Sequence, residues 1–236
     1  MMWTPPEKPS ELTENRLVTA IIDGTFPAGT NLPGERDLAA QLGITRPTLR
    51  TVLQRLARDG WVEIRQGKPT RVRNYWEEGN LAVLVAVAMH ASSVPPDFVQ
   101  NLLSVRILMS PAYGRLAVER NPQEVIHILQ DLENLKDSAE DYARFDWKLH
   151  QKLTILSGNP VFTLFINSVQ GLYEVVGGAY FCHPETRAHS LGFYKSLMEC
   201  TSQKDGEAAQ ALIERIMRES SELWQKHFKN RNIAAG

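Results

Sequence analysis

The sequence predicts a mostly α fold in two parts: three helices closed by a short β-hairpin, then an all-helical bundle of about seven helices. Three observations predict it. Apolar residues in the first sixty positions recur at helical spacing in three separate runs. At Val62 the period switches to two, for a few residues on either side of the turn "QGK". Beyond residue 76 every segment returns to helical spacing, and the breaks between segments carry turn chemistry.

The first run, Ser10–Asp23, places Leu17, Val18, Ile21 and Ile22 on one helical face. "GTFPAGTNLPGE" is dense in Gly and Pro and reads as a loop. Glu35–Leu42 is a short helix stopped by Gly43, a favourable residue just past a helix end. Thr45 can cap the next helix, and Pro47 fits its first turn, where an N–H has no intrahelical partner. That helix buries Leu49, Val52, Leu53 and Leu56, and turns Arg46, Thr48 and Arg50 to the other side. Val62 and Ile64 alternate with Glu63 and Arg65, and "TRVR" returns as a second strand. Helix, helix, tight turn, helix, hairpin is a winged helix-turn-helix.

"NYWEEGN" reads as a linker, so the expected domains are 1–75 and 76–236. The spacing then predicts helices over Asn80–Ala91, Pro96–Glu119, Pro122–Lys136, Ala139–Leu156, Val161–Phe181, Glu185–Thr201 and Glu207–Lys229. "SSVPP", "RNP", "SGNP", "CHP" and "KDG" separate them. The apolar run "LAVLVAVAMHA" is too short to span a membrane and reads as a buried helix.

Of 236 residues, 43% are hydrophobic and 22% charged, enough apolar mass for a packed core. Two cysteines, Cys182 and Cys200, make a disulfide framework improbable and suit a reducing cytoplasm. "MMWTPPEKPSEL" lacks the apolar region of a signal peptide. The net charge of −1 conceals an asymmetry. Arg46 to Arg73 holds eight basic and two acidic residues, a net +6, so the remainder carries −7. A basic module on an acidic body points to a polyanionic partner for one part only.

A helix-turn-helix sets the start of its third helix in the DNA major groove. Arg46 and Arg50, one turn apart, could each fork onto guanine or phosphate. Thr45 and Thr48 can bond phosphate or base edges, and Arg36 can reach the same groove edge. Gln66, Gly67 and Lys68 form the wing tip, where a glycine lets backbone approach a narrow groove. Arg55, Arg58, Arg71 and Arg73 read as solvated or structural.

"LPGERDLAAQLGITRPTLRTVLQRLARDGWVEIRQGKPTRV" resembles the GntR superfamily of bacterial regulators, through "P-x-E-R-x-L-A" followed by "G-[IV]-[TS]-R-x-T-[LV]-R". "NLLSVR", "SGNP" and "LGFY" extend the resemblance over nearly the full chain, to the fatty-acid-responsive FadR-type members. It implies that Arg36, Arg46 and Arg50 contact an operator, with Thr45, Thr48, Gln66 and Gly67. Pro47 stands where such members carry a DNA-contacting threonine, and Gln66 replaces a wing histidine.

In the second part, Arg106 falls on the apolar stripe of Leu102, Met109 and Tyr113. A charge there needs a partner, either a buried carboxylate or a ligand anion. Ser220, with Glu219 beside it, interrupts the buried face of the last helix, which also carries Trp224. The FadR resemblance implies long-chain acyl-CoA as effector, held by Arg106, Tyr180, Glu219, Ser220, Trp224 and Lys229, with no cofactor. It implies a homodimer on a palindromic operator, released by the acyl-CoA. Met217 stands in place of a glycine important in the family's last helix, which reshapes the expected pocket.

Asp146 and His150, four apart in "DWKLH", match the first two of four metal ligands found in many wider relatives. The remaining positions fall on Tyr194 and Ile216, which are poor ligands, and His189 lies five residues from Tyr194. A metal-dependent, carboxylate-sensing GntR-type repressor is therefore the alternative, and no metal site is assigned. No phosphate loop, G-x-S-x-G or HExxH occurs, so no catalytic residue is assigned and an enzyme is not expected.

Overall fold

The computed structural model describes residues 8–90 and 97–228, and the chain divides into two units between Ser93 and Val94. Lys229 lies outside the described residues.

The first unit opens with α1 (Pro9–Ile22), α2 (Glu35–Leu42) and α3 (Arg46–Asp59). Thr13, Leu17, Val18 and Ile21 form the buried face of α1, which packs on α3. Leu49, Val52, Leu53 and Leu56 line the inner face of α3. Thr45 caps α3, its hydroxyl accepting from the Thr48 N–H at 3.3 Å. Gly43 and Gly60 end α2 and α3 in the left-handed region, at φ 68° and 94°.

The hairpin is short: β1 (Val62–Glu63) pairs antiparallel with β2 (Arg71–Val72), Val62 facing Val72 and Glu63 facing Arg71. Two such strands alone would be marginal. The loop before α2 supplies more pairing on the far edge of β2. Leu32 N–H donates to Thr70 and Val72 N–H to Thr30, both at 2.8 Å.

"NYWEEGN" is not a linker in the structure. It forms α4 (Tyr75–Glu78), and α5 (Leu81–His90) follows as part of the same unit. Tyr75 packs between Trp61 and Trp76, with ring centroids 4.9 and 5.3 Å away. The end of α3 touches the end of α4 directly: a Cβ on Gly60 would lie 2.5 Å from the Gly79 Cα. Asn80 fastens the junction, its side-chain N–H donating to the Arg58 carbonyl at 3.2 Å and its backbone N–H to Asp59 at 3.3 Å. The expected burial of α5 holds for one face only. Val83, Val87 and Ala88 are buried, whereas Met89 is 59% exposed, because α1 and α3 cover one side only.

The second unit holds α6 (Phe98–Arg120), α7 (Pro122–Gln130), α8 (Ala139–Leu156), α9 (Pro160–Ser168), α10 (Gln170–Phe181), α11 (Pro184–Ser202) and α12 (Gly206–Phe228). Two boundaries differ from the periodicity. The run expected to reach Lys136 tightens into a 3₁₀ turn at Asp131–Asn134. The run expected over Val161–Phe181 breaks at Val169, whose φ and ψ of −112° and 15° leave the helical region. Ser168 bonds back to the Leu164 carbonyl at 2.7 Å there, a habit that bends helices.

α6 and α12 pack antiparallel as the spine of this unit. The register runs from Gln100 beside Ser221, through Gly114 beside Ile213, to Glu119 beside Gly206. A Cβ on Gly114 would lie 2.1 Å from Ile213 Cδ1, so any larger residue there would force the end of the Ile213 side chain to move. Tyr113, Val118, Leu129, Leu149, Leu153, Phe193, Leu197 and Ile213 are among the core residues packed around that spine.

Replacing Gly60 by Ala should destabilise the first unit by about 2–4 kcal/mol, combining left-handed strain with a backbone clash. Gly43→Ala, with nothing within 4 Å of its Cβ, should cost only about 1–2 kcal/mol. Hydrogen exchange of the buried α3 amides measures both. Equal losses would show that the Gly60–Gly79 crossing is slack.

Candidate nucleic-acid interface and ligand site

The start of α3 with its cap gathers four of the eight expected DNA contacts, Thr45, Arg46, Thr48 and Arg50. Arg46 and Arg50 are 57% and 59% exposed, and both turn to one carboxylate on α2. Glu35 Oε2 accepts from Arg50 Nε at 2.7 Å and lies 4.0 Å from Arg46. Arg36, one residue along α2, is 84% exposed and pairs with Asp37 at 3.1 Å. Thr45 and Thr48 share a hydroxyl–hydroxyl bond of 2.8 Å. The wing tip of Gln66, Gly67 and Lys68 is exposed, and Gly67 takes φ 69° to turn it.

The other arginines of the basic segment are tied down. Arg55 bonds Glu14 at 3.1 Å and Arg58 bonds Asp59 at 3.0 Å. Glu63 accepts from Arg65 at 2.6 Å and from Arg71 at 3.0 Å, and these two bonds hold its carboxyl down to about 2. Arg71 also reaches Glu78 at 3.1 Å, with Arg73 at 3.8 Å. Arg71 and Arg73 thereby brace the hairpin against α4.

In the second unit the structure builds a polar centre inside an apolar bundle. Asp146 on α8 is its hub, with a side chain 7% exposed. Tyr194 of α11 donates to Asp146 Oδ1 at 2.8 Å, and Tyr173 of α10 donates to Oδ2. Arg106 of α6 stands 3.6 Å from Oδ2, with its guanidinium carbon 5.4 Å from the centre of the Tyr173 ring. So Arg106, expected as a ligand anchor, has a resident carboxylate partner. Burial pushes the Asp146 carboxyl up, but the neighbouring His150, the Arg106 guanidinium and the hydrogen bonds from the two phenols outweigh it and hold it below its ordinary value.

His150 is neither a ligand-poised imidazole nor solvated. It is 2% exposed, and its Nδ1 shares a 2.8 Å bond with the Tyr113 hydroxyl, which in turn bonds Ser110 at 2.8 Å. Its Nε2 lies 3.7 Å from Asp146 Oδ1 and has no hydrogen-bond partner. Burial pushes the imidazole down to about 4, so it is neutral at pH 7 and Arg106 is the counter-charge that persists.

This chemistry does not fit a metal. Both Asp146 oxygens accept from tyrosines, Arg106 already supplies a cation, Ile216 offers no donor, and His189 bonds Glu219 at 2.7 Å instead. Among the described residues no group of three His, Cys, Asp or Glu could hold an ion.

Of the expected ligand residues, Arg106, Tyr180 and Ser220 come together. Tyr180 lies beside Ser220 and within electrostatic reach of Arg106, and burial pushes its phenol up to about 12. Trp224 is 6% exposed one turn further along α12. Glu219 faces a different side, where His189, Glu222, Leu223 and Lys226 complete an open cleft of about 400 Å³. The sequence reading missed Tyr173 and Tyr194 as partners of Asp146. The signal was available: a tyrosine at a core position needs a partner for its hydroxyl.

Two outcomes are expected. His150 binds a proton more readily unfolded, at a pKa near 6.5, than folded, near 4. Stability is therefore complete above pH ~6.5 and falls on acidification towards pH 4, by on the order of 3 kcal/mol. Urea midpoints of His150→Gln should lack that part of the slope. Arg106→Met should cost about 3–5 kcal/mol by stranding Asp146, and Asp146→Asn added to it should recover much of the loss. An additive double mutant would show that the two groups do not interact.

The comparisons with known proteins agree with this architecture. Residues 9–72 match the family model described as "Bacterial regulatory proteins, gntR family", and residues 73–232 match "FadR C-terminal domain". The chain is 42% identical over 217 residues to the "Fatty acid metabolism regulator protein" of Shewanella pealeana, covering 92% of this chain and 91% of that one. It is 38% identical over 224 residues to the protein of the same name from Enterobacter sp. strain 638, covering 95% and 94%. A solved Listeria monocytogenes structure, titled for Lar, shares the fold, with TM-score 0.64 over 95% of this chain and 100% of that one, at 16% identity. With both domain types in order along one chain, this protein belongs to the GntR family of DNA-binding transcription regulators, in its FadR-type, fatty-acid-metabolism group.

Proposed function

We propose that the protein binds a two-fold operator as a homodimer and leaves it when a long-chain acyl-CoA occupies the helical unit. The observation that carries the ligand half is the buried centre on Asp146, with Arg106, Tyr180 and Ser220 gathered at its edge. The ligand must bind the DNA-incompetent arrangement better than the competent one, or it shifts nothing. Arg106 offers one route. An anionic or carbonyl ligand that draws the guanidinium from Asp146 selects a different packing of α6, α8 and α10.

On the DNA side, Arg46 and Arg50 read the major groove, Arg36, Thr45 and Thr48 hold its edge, and Gln66, Gly67 and Lys68 follow the wing into the adjacent groove. The genes controlled are those of fatty-acid degradation or synthesis, in keeping with the names of the relatives. The protein works in the cytoplasm, without a resident cofactor and without catalysis. Among the described residues no helix is long and apolar enough to cross a membrane.

Fluorescence anisotropy on a labelled FadR-type operator, at fixed salt, tests this reading. Oleoyl-CoA should release the DNA and free oleate should not. Binding without release by the ester would overturn the ligand assignment and leave the DNA half standing. Arg46→Ala should lose about 1–3 kcal/mol on the operator if the arginine reads a base, and an equal loss on every sequence would make it a phosphate contact.

A further inference from the structure

The wing is too slight to hold its own angle. Its strands are two residues long, and residues 64–70 form the tip. Within the tip the Lys68 N–H donates to the Arg65 carbonyl at 3.3 Å, and Gly67 turns the chain. The base of the hairpin, by contrast, is crossed by a run of alternating charges. Glu63 accepts from Arg65 at 2.6 Å and from Arg71 Nε at 3.0 Å. The Arg71 guanidinium donates from its Nη2 to both oxygens of Glu78, at 3.1 and 3.2 Å. Glu78 also accepts from the Asn74 N–H at 3.1 Å and stands 3.8 Å from Arg73 Nε. That Nε is shut from solvent without a hydrogen bond, so the Glu78 carboxylate is its counter-charge.

Glu78 lies on α4, outside the three helices and hairpin of the winged fold, and α4 is itself pinned to α3. Buried Trp61 packs on Tyr75, and Gly79 and Asn80 meet the end of α3 at Arg58, Asp59 and Gly60. One carboxylate thus links the base of the wing to the helix that presents Arg46 and Arg50. A domain that reads two grooves needs its wing at a set angle to that helix, because the duplex fixes where the grooves lie. We propose that Glu78 is the positioning residue of the wing. Through Arg71, Glu63 and Arg65 it sets where Gln66, Gly67 and Lys68 meet DNA, and it touches no DNA itself. The assignment rests on the wing reading above and deepens it. A guanidinium suits the bridging place at Arg71, since its planar fork faces two carboxylates at once.

Anisotropy of the full-length protein on the FadR-type operator and on a random duplex, at one salt concentration, tests it. By charge alone, removing a carboxylate near DNA tightens binding to any duplex. Glu78→Gln should instead bind the operator about tenfold more weakly and the random duplex no more weakly than wild type. Arg71→Lys, which keeps the charge and loses the fork, should weaken operator binding by a similar factor. A cycle reads the route through the wing. In a Gln66→Ala, Lys68→Ala background, which removes the tip contacts, Glu78→Gln should change operator affinity by less than about twofold. An unchanged near-ultraviolet circular dichroism spectrum reports intact aromatic packing, and Arg71→Lys carries the test if Glu78→Gln fails that check. Operator binding by Glu78→Gln as tight as wild type or tighter, or an undiminished loss in the tip background, would overturn the positioning role and leave the wing contacts standing. A tip variant that binds the operator as wild type does would overturn the wing reading and this assignment with it.

Discussion

The helical unit depends on one buried carboxylate. Asp146 sits among apolar helices, and a lone charge there would be untenable. Its partners come from three other helices: Arg106 from α6, Tyr173 from α10 and Tyr194 from α11. A single residue on α8 therefore fixes the mutual placement of the elements around it. Buried ion pairs seldom add net stability over a well-packed apolar core. What this one adds is a directed geometry, each partner bonded or paired to a definite oxygen of one carboxylate.

Arg106 supplies the cation that faces Asp146. Asp146 and His150 keep the spacing of a ligand pair, yet the cation facing the carboxylate is a guanidinium, and the imidazole is held neutral by burial. A covalently attached cation cannot be lost to a chelator or exchanged for another ion. It can, however, swing on its own side chain, and its side chain remains 27% exposed.

Much of the fold was legible because local chemistry agreed with the tertiary outcome. Gly43, Thr45 and the Leu49–Leu56 stripe act in the structure as their residue types imply. The misreadings arose where distant residues decided. Tyr75 starts α4, with Trp61, fourteen positions earlier, packed on its ring. The break at Val169 carries neither Gly nor Pro, so nothing in its residue type announces it. In the candidate site, Arg106 and Ser220 stood out as polar interruptions of apolar stripes. Tyr173 and Tyr194 did not, because tyrosine passes for a core residue until its hydroxyl is accounted for. Gln100 looks like any surface glutamine until α12 is laid against α6.

The pairing of Arg46 and Arg50 with Glu35 bears on how the protein finds its site. A chromosome offers about a million or more wrong sequences for each right one, and all share the same phosphates. Two arginines that share one internal carboxylate have less long-range pull on that background than two free ones. If Arg46 and Arg50 read bases as proposed above, a guanidinium at a cognate step would exchange Glu35 for a better-shaped acceptor, and the carboxylate would set a threshold on residence time: brief stays on random duplex, long ones where the exchange is favourable.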